Sequence, residues 1–137
     1  MSLTHQGRMP PPTADPAGTR YKIAFDHNRR IIRAALFGFW STEDATAFCT
    51  QLNRFLDASR DQFGLSRTLV DRRECPVQAG EVTQILTANS LRLQPVDRLA
   101  VVVGSMLADM QFKRALTHEC IRIFQVLREA ELWLDEA

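Results

Sequence analysis

Lysine is nearly missing: Lys22 and Lys113 are the only two among seventeen basic residues, and the rest are arginine. A surplus of charge of either sign is missing too, since sixteen acidic residues leave a net charge of +1. Dedicated nucleic-acid binders usually carry a clear basic surplus, so no nucleic-acid partner is expected, although a local basic patch stays open. No apolar run approaches the ~20 residues of a membrane-spanning helix, and no membrane span is expected. The first residues lack the apolar core of a secretory leader, which points to the cytoplasm. Cysteine is scarce: Cys49, Cys75 and Cys120 are an odd number without a CxxC pair. That argues against a disulfide framework and for a reduced compartment. His118-Glu119-Cys120 brings two ligand types together but has no second cluster. No metal and no cofactor are therefore expected.

What is present is ordinary for a soluble globular chain of 137 residues, with 45% hydrophobic and 24% charged residues. A domain of this size buries roughly two-thirds of its unfolded surface, so no staple is needed. Residues 1–20, with Pro10-Pro11-Pro12 and Pro16, read as a disordered Pro-rich tail or loose arm. Residues 21–137 read as one domain.

Leu99 to Val103 is an unbroken apolar run with three consecutive valines. A strand apolar on both faces belongs inside a sheet covered on both sides. Gly104-Ser105 stops it, and Met106 to Leu116 reads as a helix capped by Ser105. Earlier, Tyr21 to Asp26 alternates as a strand, His27 to Arg30 makes a turn with Asn28 suited to positive φ, and Ile31 to Trp40 is the next strand. Gly38 there implies a bulge or a close backbone approach. Ser41 caps a helix running to about Arg60, whose buried stripe is Ala45, Phe48, Leu52, Phe55 and Leu56. Arg67 to Asp71 is a short buried strand that leaves through a polar loop, Arg72 to Pro76. Glu81 to Asn89 is a helix, Cys120 to Phe124 a strand and Arg128 to Glu136 a closing helix. The expected fold is α/β: a mixed sheet of about five strands, an N-terminal hairpin followed by parallel strands, with about four helices.

Leu69-Val70-Asp71 with its polar exit, Arg98 to Gly104, and Ile123-Phe124 followed by Glu129 to Leu134 carry a resemblance. In these residues and in element order the chain resembles the small SpoIIAA-like proteins grouped with STAS and CRAL-TRIO domains. The resemblance implies a STAS-like fold. Anti-anti-sigma factors of that group carry a phosphorylatable hydroxyl just after the strand that ends in Asp. Here Arg72, Arg73, Glu74 and Cys75 follow Asp71, and the next hydroxyl is Thr83, so no kinase switch is expected. In the CRAL-TRIO direction the resemblance implies an apolar ligand site.

Ligands of parallel sheets gather outside the carboxyl ends of the strands. Ser41, Asp71, Arg72, Arg73 and Ser105 should meet on that edge and are the candidate ligand-binding residues. Ser105 and free amides suit an anion, and Arg72 or Arg73 would add a charge-assisted bond. The plainer alternative is that Ser105 caps a helix and Asp71 satisfies backbone amides. No catalytic residue is assigned. A Cys-dependent enzyme would need Cys75 as nucleophile and His27 or His118 as base. The leading expectation is a non-enzymatic domain binding a protein partner or small ligand in a regulatory role. A lipid or apolar small-molecule binder comes next. A homodimer is also expected, because Leu107 and Met110 fall in one direction of the third helix and Phe112 and Leu116 in another, with Phe37, Phe39 and Trp40 extending the surface.

Overall fold

The computed structural model describes residues 8–76, 78–105, 107, 110 and 118–136. Their order is β1 (Thr13–Ala14), β2 (Tyr21–Asp26), β3 (Ile31–Phe37), α1 (Thr42–Phe63), β4 (Arg67–Glu74), α2 (Gly80–Ser90), β5 (Arg98–Val102), β6 (Ile121–Phe124) and α3 (Leu127–Asp135). The six strands form one sheet in sequence order. The β1–β2 and β2–β3 pairs are antiparallel, and β3 to β6 are parallel. The expected mixed α/β sheet is present, with six strands rather than five and three helices among the described residues. The expected helix over Met106 to Leu116 lies outside them, apart from Leu107 and Met110.

Local chemistry accounts for the boundaries. Asp26 accepts from the amides of Asn28 and Arg29 at 3.0 and 3.2 Å, which turns the chain between β2 and β3. Positive φ in this turn falls on Arg30 (57°), not on Asn28. The Arg30 guanidinium lies 4.6 Å from the centroid of Phe63. Ser41 and Asp44 form a capping box: the Ser41 hydroxyl accepts from the Asp44 amide at 3.1 Å, and Asp44 accepts from the Ser41 amide at 2.9 Å. Gly64 closes α1 in the left-handed region, φ 81°.

Two expectations change. Thr13–Ala14, inside the stretch read as a loose tail, pairs with Ile23 and Lys22. Thr13 also donates to Gln51 of α1 at 2.7 Å, and Asp15 is buried and accepts from the Arg20 amide. Residues 1–7 of that stretch lie outside the described residues. In addition, β4 continues to Glu74, so Arg72 to Glu74 are strand rather than loop. Charge hides the alternation there, because Arg72 is buried while Arg73 is exposed.

The core has two sides. Leu99, Val101 and Val103 join β2–β4, α1 and α2 in one cluster. Ala100 and Val102 join Ile31, Leu69, Ala130, Trp133 and Leu134 in the other. The parallel strands advance across the sheet in one direction, and right-handed crossovers then place α1 and α2 on the same face. After β6 the chain turns back, and α3 covers the opposite face. Arg33 ties α3 down through Glu131 at 2.6 Å, and Arg29 through Asp135 at 2.8 Å. Arg98 and Arg67 donate to the carbonyls of Trp133 and Leu134 at its C-terminal end, where the helix dipole favours cations.

Candidate functional site at the carboxyl ends of the parallel strands

Parallel alignment of β3, β4 and β5 brings their three exits to one edge: Gly38 to Ser41, Asp71 to Pro76, and Gly104-Ser105. A register shift between Ala35 and Phe37 loosens β3 before Gly38, which has φ 66° and donates to the Glu74 carbonyl at 3.1 Å. Gly104 is set by a close approach. A Cβ there would stand 3.1 Å from the Arg73 carbonyl oxygen.

The five candidate residues share the edge but not one site. The Ser41 hydroxyl is engaged by its cap. Asp71 and Arg73 form a local pair: Arg73 Nε and Nη2 donate at 3.0 and 2.7 Å, and the Arg73 amide adds a third bond at 3.1 Å. The Arg73 bonds hold the Asp71 carboxyl below its usual range, against the opposing effect of burial. Asp71 thus accepts one backbone amide, as the plainer alternative has it, together with two side-chain bonds that it did not include. Ser105 is exposed.

Arg72 goes the other way, toward α1 and α2, and is 8% exposed. Burial pulls its pKa down, and the neighbouring Cys75 sulfur works against that pull. Arg72 Nη2 donates to Cys75 Sγ at 3.8 Å. Gln78 donates from Nε2 to the same sulfur at 3.2 Å and to the carbonyls of Gly38 and Pro76 at 3.0 and 2.7 Å. Its Oε1 accepts from the Trp40 amide at 2.7 Å. Gln78 therefore joins the exits of β3 and β4. Sequence reasoning passed over it, since one glutamine in a loop carries no periodic signal.

Arg72 also lines an apolar cavity of about 80 Å³ between α1, α2 and the sheet. Phe48, Leu52, Val70, Leu86 and Val101 supply its apolar wall, and Thr83 and Thr87 belong to its lining from α2. Cys49 lines it as well. Burial pushes that thiol up to about 11, which keeps it neutral and makes it part of the wall.

The pairing a Cys75 enzyme would need is not assembled. His27 lies in the turn that enters β3, and His118 lies just before β6. Both are at the amino end of the parallel strands, whereas Cys75 follows the carboxyl end of β4. Eight residues of β4 span about 26 Å. Nor are His118 and Cys120 poised as ligands: His118 Nδ1 accepts from the Cys120 amide, and Cys120 Sγ donates to the Gln94 carbonyl. Among the described residues no group of three metal-ligating side chains converges. No described helix is long and apolar enough to cross a membrane.

The expected dimer surface is only partly of the kind foreseen. Leu107, Met110 and Phe39 are exposed, but Trp40 is buried against Tyr21 and Phe48. Trp133 and Leu134 cover the far face of the sheet. Phe112 and Leu116 lie outside the described residues. No protein-family model, no curated protein and no solved structure matches this chain.

Proposed function

We propose that this domain is a non-catalytic binding module whose cavity takes a small apolar ligand. The observation that carries the reading is the cavity of about 80 Å³ between α1, α2 and the sheet, walled mostly by apolar side chains with Arg72 in its lining. Most of that wall is hydrocarbon, with Arg72, Thr83, Thr87, Asn89 and Ser90 as its polar members. A compact hydrocarbon group exchanges unfavourable hydration for close contacts. The space is about half of the ~150 Å³ that accommodates the six heavy atoms of benzene, so the ligand portion enclosed has roughly three heavy atoms. At a ceiling of about 1.5 kcal/mol per atom, such a ligand binds no tighter than about 4.5 kcal/mol, in the sub-millimolar range or weaker. This reading agrees with the apolar site that the resemblance to CRAL-TRIO-type domains implies.

The test is a titration of the protein with xenon and with short-chain alcohols, followed by methyl NMR. Shifts concentrated on Leu52, Val70, Leu86 and Val101, and abolished by Thr87→Leu, are expected. Shifts spread over the surface, or unchanged in Thr87→Leu, overturn the proposal.

Phe39 at 70% exposure and Leu107 at 66% favour a second reading, in which the carboxyl edge docks a second copy of the chain. Light scattering at micromolar concentration decides it, and a mass of 15.6 kDa at every concentration removes it.

A further inference from the structure

A second concavity, about 640 Å³, lies at the opposite end of the sheet, where β5 and β6 begin. Leu93 and Pro95 line it from the connection ahead of β5, His118 and Glu119 from the segment ahead of β6, and Arg98 and Arg122 from the strands themselves. The two arginines share a face. Ala100 registers with Arg122, and Arg98 stands two residues earlier on the same strand as Ala100. Strand spacing and rise put their Cα atoms roughly 8 Å apart.

Both guanidinium groups stand over the Trp133 ring, 4.9 and 5.2 Å from its centroid. Arg98 donates one bond to the Trp133 carbonyl at 2.8 Å. Among the described residues, no carboxylate lies within ion-pair distance of either arginine. Asp97 also lines the groove, but it is held by Arg60 at 2.6 Å. The ring thus gathers two like charges, and among the described residues no carboxylate pairs with either, Glu119 lining the groove beyond ion-pair distance. An anion between them would relieve the repulsion and satisfy the donors.

We propose that this groove binds a phosphate group carried on a small organic molecule. One carboxylate matches one guanidinium fork. A phosphate offers three oxygens in a tetrahedral array, enough to serve two forks at once. The volume is that of an ordinary ligand site, and Leu93 and Pro95 give the organic body an apolar surface. The proposal is independent of the apolar cavity, which shares none of the groove's lining residues.

Calorimetry of the full chain with phenyl phosphate, inorganic phosphate and benzoate at fixed ionic strength tests it. Phenyl phosphate should bind once per chain and more tightly than the other two. Arg122 is exposed on an edge strand, so Arg122→Ala should keep the melting temperature while weakening binding about tenfold or more. Arg122→Lys, which keeps the charge and loses the fork, should weaken it too. Arg30→Ala, at an arginine stacked on Phe63 outside the groove, should change nothing. Absence of phenyl phosphate binding, or equal losses in the Arg30 and Arg122 variants, overturns the proposal.

Discussion

Asp97→Ala is expected to be among the most destabilising substitutions that remove no core hydrocarbon. The Asp97 side chain is fully buried and paired with Arg60, itself 14% exposed, at 2.6 Å. It also accepts from the amides of Ser66 and Gln94, both at 2.8 Å. One carboxylate thereby joins α1, the entry to β4 and the entry to β5. Removing one member of a buried pair costs ~3–5 kcal/mol, and two amides lose a charged acceptor as well. Asp57, 3.6 Å from Arg60, remains to take part of its charge, which favours the lower end of that range. About 3 kcal/mol is expected, against a total of roughly 5–15 for a domain, or a melting temperature lower by roughly 10 °C. A second readout is pH. Burial pushes the Asp97 carboxyl up, but the bonds from Arg60, Gln94 and Ser66 outweigh it and hold the pKa below its ordinary value. A depressed folded pKa gives stability that is complete above the unfolded value of about 3.9 and is lost as pH falls through the folded value. Asp97→Ala should therefore flatten the acid limb of stability against pH as well as lower its plateau. Urea unfolding across pH 2–7 measures both. A loss under about 1 kcal/mol at pH 7 with an unchanged m value, or an unchanged acid limb, refutes the reasoning.

Other substitutions test other levels of the structure. Val102→Asp places a charge at a fully buried position between β4, β6 and α3, and should abolish folding; a soluble variant with the parent melting temperature contradicts this. Ser41→Ala removes the acceptor of the α1 capping box and should cost about 1 kcal/mol in urea unfolding, whereas an unchanged midpoint would mean that the cap contributes nothing. Because no hydroxyl lies between Asp71 and Thr83, incubation with a Ser/Thr kinase should add no phosphate between Asp71 and Val82, and mass spectrometry of that peptide settles the point.

The elements with strong periodicity were legible, and for a physical reason. Leu99 to Val103 reads as buried on both faces, and its residues divide in alternation between the two core clusters. Ser41 reads as a cap because few residue types accept from a helix's first amides. β1 was not legible. Two residues flanked by prolines have no period, and Thr13–Ala14 becomes a strand only because β2 offers it a backbone edge. The end of β4 was misread because Arg72 looks like a loop residue. A long aliphatic stem lets it be buried where a shorter charged chain would not be.

For the sites, the sequence led to an edge but not to a cavity. Element order alone brings Ser41, Asp71 and Gly104-Ser105 to the carboxyl ends of the strands, since parallel alignment follows from alternating strands and helices. A void is different in kind. It is the space left when α1, α2 and the sheet meet, and its lining runs from Leu36 to Ile121. No local pattern records a volume that three separate segments fail to fill. The arginine groove depends on register in the same way. Arg98 and Arg122 are 24 positions apart in the chain and become neighbours only because Ala100 aligns with Arg122. A slip of one residue would send Arg122 to the opposite face of β6 and away from Trp133. The loss of phosphate binding in Arg122→Ala would therefore report on the β5–β6 register as well as on the ligand.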